Sequence, residues 1–126
     1  MRRVFRTLAI VVAAVGLMPI VPAYADTPAD DTTPVTETVL KVRGTPESDG
    51  NPVTLDASLF TTKPGVPQPA ILLAHGFGGT KADSAPIAQQ WARRGYTVLT
   101  STARGFGDSG GLIHLGNPPY EGRDAV

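Results

Sequence analysis

Two short stretches of this chain alternate apolar and polar residues with a period of two. They are TVLKVR, Thr38 to Arg43, and VTLDASLF, Val53 to Phe60, where Val53, Leu55, Ala57 and Leu59 share one face. This pattern predicts half-buried strands. Between them GTPESDGNP is crowded with turn formers, including Asp49-Gly50, so the two strands are expected to pair as an antiparallel hairpin. TTKPGVPQP then supplies a stiff surface connection. Alternation disappears in AILLA, Ala70 to Ala74, a continuous apolar run of the kind buried on both faces of a sheet. Further on, Ile87, Ala88, Trp91 and Ala92 recur at three-and-four spacing and predict an amphipathic helix. Asp83 or Ser84 can cap it, Pro86 fits its first turn, Arg93 and Arg94 complement the dipole at its end, and Gly95 stops it. YTVLTS, Tyr96 to Ser101, reads as a second buried strand. Strand, helix and strand in this order form a parallel unit with a right-handed crossover. The expected fold class is therefore α/β, an antiparallel hairpin followed by a parallel strand-helix-strand unit, and the sequence contains no internal repeat.

The first residues do not belong to that fold. MRRVFRTLAIVVAAVGLMPIVPAYA carries Arg2, Arg3 and Arg6, then an apolar stretch from Leu8 to Val21, then Ala23-Tyr24-Ala25 before Asp26. A basic start, an apolar middle and a small-residue cleavage site are the parts of an export leader. The apolar stretch is interrupted by Pro19 and falls short of the roughly 20 residues that span a bilayer. Residues 1–25 are thus expected to be a signal peptide, and the mature chain to be secreted with no stable membrane anchor. DTPADDTTPVTE, Asp26 to Glu37, has little to bury and is expected to be a disordered spacer. Beyond the leader the chain keeps eight basic and eleven acidic residues, a net charge of −3. This balance argues against a nucleic-acid partner, which would call for clustered Lys and Arg. The chain has no cysteine, which excludes disulfides and thiolate metal sites. No cofactor or metal is expected.

In open α/β sheets, ligands bind beyond the carboxyl ends of the parallel strands. Those ends carry HGFGGTK, His75 to Lys81, and ARGFGDSGG, Ala103 to Gly111. Both loops are glycine-dense, which lets backbone amides approach a ligand closely. The first can be read as an oxyanion hole with the Phe77 amide as donor, or as an ordinary strand-to-helix turn.

The second loop satisfies three catalytic patterns. Gly107-Asp108-Ser109-Gly110-Gly111 matches the segment around the reactive serine of trypsin-like proteases, G-x-S-x-G is a nucleophile elbow, and Gly105 to Gly110 spells a dinucleotide-binding G-x-G-x-x-G. An elbow needs a strand running straight into the serine and a helix directly after it. Here the strand ends near Ser101 and LIHLGNPPY follows, with no helical period. The trypsin reading needs a far longer β-barrel protein with a histidine and an aspartate upstream, which His75 on a strand-to-helix loop does not supply, and the dinucleotide reading lacks a helix opening at the glycines. Ser109 is expected to be a turn residue, and His114 a solvent-facing residue of an irregular loop.

His75-Gly76-Phe77-Gly78-Gly79, RGYTVLTSTARGFGDSGG and the final PPYEGRDAV, in this order and at this separation, resemble the N-terminal part of secreted bacterial α/β-hydrolases. The branch is the one grouped with Xaa-Pro dipeptidyl-peptidases (peptidase family S15) and cocaine-esterase-like acyl hydrolases, and the resemblance runs from Thr38 to Val126. It implies an incomplete α/β-hydrolase fold and a serine hydrolase acting on a small ester, amide or peptide substrate. It implies that the Phe77 backbone amide is an oxyanion donor, and that His75, Gly76, Gly78 and Gly79 shape its loop, with His75 buried. Arg104, Gly105 and Gly107 match the family's Arg-Gly-x-Gly turn at the wall of the site. Glu121 and Asp124 would open the helix that leads to the nucleophile strand. The family's triad follows in the order Ser, Asp or Glu, His, which implies that all three lie beyond Val126 and that this chain alone is inactive. Members of the branch use a tyrosine hydroxyl near the first loop, whereas Phe77 has none. The other reading is a short secreted protein without enzymatic function.

Overall fold

The computed structural model describes residues 31–126. The expected leader and the first part of the spacer lie outside the described residues. The first element is β1 (Thr36–Gly44), which pairs antiparallel with β2 (Val53–Thr61) through all nine residues of each, Thr36 opposite Thr61 and Gly44 opposite Val53. The hairpin is therefore present, and β1 starts two residues earlier than the alternation indicated. Just before it, Val35 packs on the helix-side core and the Thr33 carbonyl accepts from Arg93 Nε at 3.2 Å.

β3 (Ala70–Ala74), helix α1 (Lys81–Arg93) and β4 (Thr97–Ser101) form the strand-helix-strand unit, and β3 pairs parallel with β4. β4 also pairs antiparallel with β2, giving one mixed four-stranded sheet in the order β1-β2-β4-β3. The fold class is α/β, as the pattern of periods indicated.

The helix begins earlier than its side-chain signals suggested. Thr80 is the N-cap, and Asp83 is the third helical residue, its carboxylate reaching back to the Thr80 N–H at 2.7 Å. That is the reciprocal arm of a capping box. Pro86 then falls inside the helix instead of in its first turn. Ala82, whose carbonyl loses its helical partner to the proline, is exposed, so water can replace the missing bond. The buried stripe is Ser84, Ala88 and Ala92, with Ala85 and Trp91 beside it, while Ile87 is exposed. Gly95 ends the helix as expected, with φ +93° and its N–H on the Ala92 carbonyl.

Only one face of the sheet is fully covered. Phe60 and Val98 point to α1 and meet Ala88 and Ala92, with Ile71 and Leu73 packed alongside. On the opposite face, Val53, Leu55 and Ala57 are buried, whereas Leu72 is 48% exposed. β3 alternates exposed and half-buried residues, so it is not buried on both faces as its apolar run suggested. A fully apolar strand is buried twice only when two layers sit on it, and among the described residues only α1 covers β3.

Helix and sheet are also joined by charge. Asp56 on β2 is buried, and its Oδ1 accepts from Lys81 Nζ at 3.0 Å and from Lys41 Nζ at 3.1 Å. Burial pushes the Asp56 carboxyl upward, but the hydrogen bonds and charges of Lys81 and Lys41 outweigh it and hold the carboxyl below its ordinary value. A carboxylate lowered in the folded state stabilises the protein above its unfolded pKa of about 3.9, and that contribution disappears as pH falls through the folded value. Asp56→Asn should lower the unfolding free energy by about 1–3 kcal/mol at pH 7, measured by urea denaturation. The variant should also lose less stability than the parent between pH 5 and acid pH, and an unchanged acid profile would contradict this assignment.

Candidate functional site

The two glycine loops lie side by side at the carboxyl ends of β3 and β4, tied together by specific contacts. The Ala103 N–H donates to His75 Nε2 at 2.9 Å. That nitrogen therefore carries no hydrogen, and Nδ1–H donates to the Gly76 carbonyl at 2.7 Å. Both ring nitrogens are thus committed to backbone, which makes His75 a fixed brace between the strand ends. It is half-buried, not buried as expected.

Gly76 to Gly79 form a tight turn closed by Gly79 N–H to Gly76 O at 3.0 Å, with Gly78 at φ +82°. A positive φ at the third position is the signature of a type II turn. Phe77 occupies the second position, where the N–H takes no part in closing the turn, and it donates to no protein group among the described residues. Phe77 is 82% exposed, and its ring meets Phe106 edge-to-face, with centroids 5.2 Å apart. Phe106 also takes the edge of His75 at 5.8 Å.

The second loop packs under the first. Gly107 has φ +47°, and a Cβ there would stand 3.2 Å from Thr80 Cγ2 and 3.3 Å from Thr102 Cγ2. Only glycine combines that backbone with so little room. The Lys81 N–H, an open donor of the first helical turn, is met by Thr102 Oγ1 at 3.0 Å.

Ser109 is a clip. Its hydroxyl donates to the Thr102 carbonyl at 2.6 Å and accepts from the Asp56 N–H at 2.9 Å. Gly110 N–H adds a bond to Thr54 O at 2.8 Å. No strand runs into Ser109 and no helix follows it, so its environment is that of a turn and not of a nucleophile elbow.

Arg104 is the centre of a polar cluster that the sequence did not reveal. Its side chain is fully buried, with Nε 2.8 Å from Asp124 Oδ2, a second nitrogen on the Thr45 carbonyl, and Nη1 3.6 Å from Glu47 Oε1. Tyr120 lies against the guanidinium at 5.1 Å, and Asp124 Oδ1 accepts from the Thr45 N–H at 2.7 Å. His114 is not a bland loop residue: Nε2 is 2.8 Å from Glu47 Oε2 and the ring stacks on Tyr120 at 4.0 Å. Its partner is 67 positions away in sequence, so no local signal could have indicated it. Glu121 and Asp124 do lie at the short helical turn Pro118–Gly122 and just after it. Glu121 accepts from the N–H groups ahead of that turn, at His114 and Asn117, while Asp124 serves Arg104.

The Glu47 carboxyl is held below its ordinary value, chiefly by the Leu112 N–H and then by His114. For Glu121, burial pushes upward, but the N–H groups of His114 and Asn117 help to outweigh it and lower the carboxyl. Between the bare sheet face and this cluster lies a cavity of about 210 Å³, lined by Leu55, Leu72, His75, Arg104 and Glu121, among others. Among the described residues no group of three His, Cys, Asp or Glu side chains is arranged to hold a metal.

The profile of the X-Pro dipeptidyl-peptidase (S15) family matches residues 49–126, more than half of the chain. This chain belongs to that family. No curated protein sequence matches it. Among solved structures, a hypothetical protein from Pseudomonas aeruginosa is 29% identical with a TM-score of 0.54, over 71% of this chain and 28% of that one. An esterase from Pyrococcus furiosus is 24% identical with a TM-score of 0.51, over 70% and 31%. Brefeldin A esterase, a bacterial homologue of human hormone sensitive lipase, is 23% identical with a TM-score of 0.50, over 82% and 29%. The last two show the fold alone. This S15 family chain spans less than a third of the length of each of these structures.

The clip at Ser109 can be tested directly. Ser109→Ala removes the acceptor of the Asp56 N–H and should cost about 1–3 kcal/mol of unfolding free energy, measured by urea or thermal denaturation. No loss of stability would show that the hydroxyl is free.

Proposed function

We propose that this chain is the oxyanion-side, N-terminal portion of a secreted serine hydrolase acting on a small ester, amide or peptide substrate. The observation that carries this reading is the Phe77 amide. It stands at the corner of a tight turn, donates to no protein group among the described residues, and belongs to the loop that leads into α1, where the helix dipole favours negative charge.

The chemistry follows from acyl transfer. A serine hydroxyl from residues beyond Val126 adds to the substrate carbonyl carbon while its proton passes to a histidine. The carbonyl electron pair moves to oxygen, and the Phe77 N–H stabilises that oxyanion. Collapse expels the leaving group with the proton from the histidine and leaves an acyl-serine, which water releases by the same steps. Within the chain itself both nitrogens of His75 and the hydroxyl of Ser109 are already engaged, so the portion 26–126 is inactive alone. Family membership supports peptide or related acyl substrates. The phenyl ring at position 77 offers no hydroxyl to the oxyanion, which favours acyl hydrolysis in general over a strictly prolyl specificity. The leader at residues 1–25 supports export.

The downstream reading frame should encode a G-x-S-x-G directly after a valine-rich strand. In the enzyme extended through it, Phe77→Pro, which removes the N–H, should lower kcat on a p-nitrophenyl ester by roughly 10²–10³-fold. Phe77→Ala, which keeps the N–H, should stay within about tenfold of the parent. Esterase activity in residues 26–126 alone that is lost on Ser109→Ala would overturn the proposal.

A further inference from the structure

Residues 111–117 join the second glycine loop to the short helical turn in an unusual way. Among the described residues, Gly111 to Gly116 make no backbone–backbone hydrogen bond with the rest of the protein. Their attachment is to two carboxylates. Glu47 Oε1 accepts from the Leu112 N–H at 2.8 Å, and Glu121 accepts from the His114 N–H at 2.6 Å and the Asn117 N–H at 2.9 Å. The His114 ring adds its bond to Glu47 and its stack on Tyr120.

The segment also rests on a space that a side chain would fill. A Cβ on Gly105 would come 2.6 Å from Ile113 Cγ1 and 2.9 Å from Ile113 N. Gly111 and Gly116, with φ of +84° and +73°, stand at or near its two ends. Between them Leu115 is held at φ +55° and is 79% exposed, a conformation uncommon for leucine. Nothing in the sheet ladder depends on these residues. When they leave, the freed amides and Glu121 pass into water, while Glu47 stays beside the buried Arg104 Nη1 at 3.6 Å, so no buried polar group is stranded.

From this the geometry points to a strap. Residues 111–116 swing off the body as one unit on their glycine ends, while the sheet stays folded, and open the hollow of about 390 Å³ that Gly111, Leu112 and His114 line together with Glu47 and Val53. The proposal goes beyond the hydrolase reading and stands on the hydrogen bonds of the described residues alone.

Amide hydrogen exchange of the full chain, followed residue by residue by NMR at pH 7, tests it. In Glu121→Gln the amides of Leu112, His114 and Asn117 should all exchange at least tenfold faster, although Leu112 bonds to a different carboxylate. Phe60, Val98 and Thr100 should change by less than twofold. Gly105→Ala, which lifts Ile113 without touching a carboxylate, should quicken the same three amides. Faster exchange at His114 and Asn117 with Leu112 unchanged would show separate fraying and overturn the strap. Acceleration of the sheet amides to the same degree in Glu121→Gln would show global unfolding and overturn it as well.

Discussion

A guanidinium taken fully out of water is the constraint around which the site end of this molecule is organised. Arg104 cannot shed its charge, so its desolvation must be offset by partners that come to it. They come from three places: Thr45 and Glu47 after β1, Asp124 near the end of the chain, and the Tyr120 ring between them. The loop after β4 is thereby fastened both to the hairpin and to the C-terminal turn. Without this charge the segments from 104 to 126 would rest on the sheet through little more than Val53, Leu55, the Ser109 clip and the Gly110 N–H bond to Thr54.

The two loops divide their work. The one after β3 leaves an amide unused at its corner. The one after β4 is fastened in position by its side chains, through Thr102, Ser109 and Arg104. His75 and Phe106 connect them, one by hydrogen bonds and the other by ring edges. A free donor held by a heavily bonded frame is the arrangement that preorganised electrostatic stabilisation requires, because the donor need not move when charge develops.

The elements written in local periodicity were legible in the sequence. The hairpin, the strand-helix-strand unit and the glycine that ends α1 are set by neighbours a few residues apart. The helix start was less legible because Thr80, Asp83 and Ser84 are all capping types, and only the backbone decides which of them lies outside the first turn. Ile87 was assigned to the buried stripe, yet the face is set by Ser84, Ala88 and Ala92, where a polar residue hid the pattern. The apolar run of β3 signals burial, but burial on its second face depends on a covering layer that the described residues do not supply. Arg104 was recognised as part of a turn while its role as a buried charge was not, since Glu47 and Asp124 lie 57 positions before it and 20 after it. The same holds for His114 and Glu47. Long-range ion pairs leave no mark on local spacing.

Ser109 and its neighbours bear on how such segments change over time. Gly107 is confined by the methyl groups of two threonines, Ser109 joins two backbone groups, and Gly110 supplies a strand bond. Gly107, Ser109 and Gly111 are therefore each under a folding constraint, Gly111 because its φ is +84°, whereas a Cβ on Gly110 would meet nothing nearer than 3.6 Å. Selection acting on stability would preserve these three positions as tightly as selection acting on turnover. Constancy of a protease-like motif across relatives of this chain would record packing at the end of a strand and not inheritance of a nucleophile.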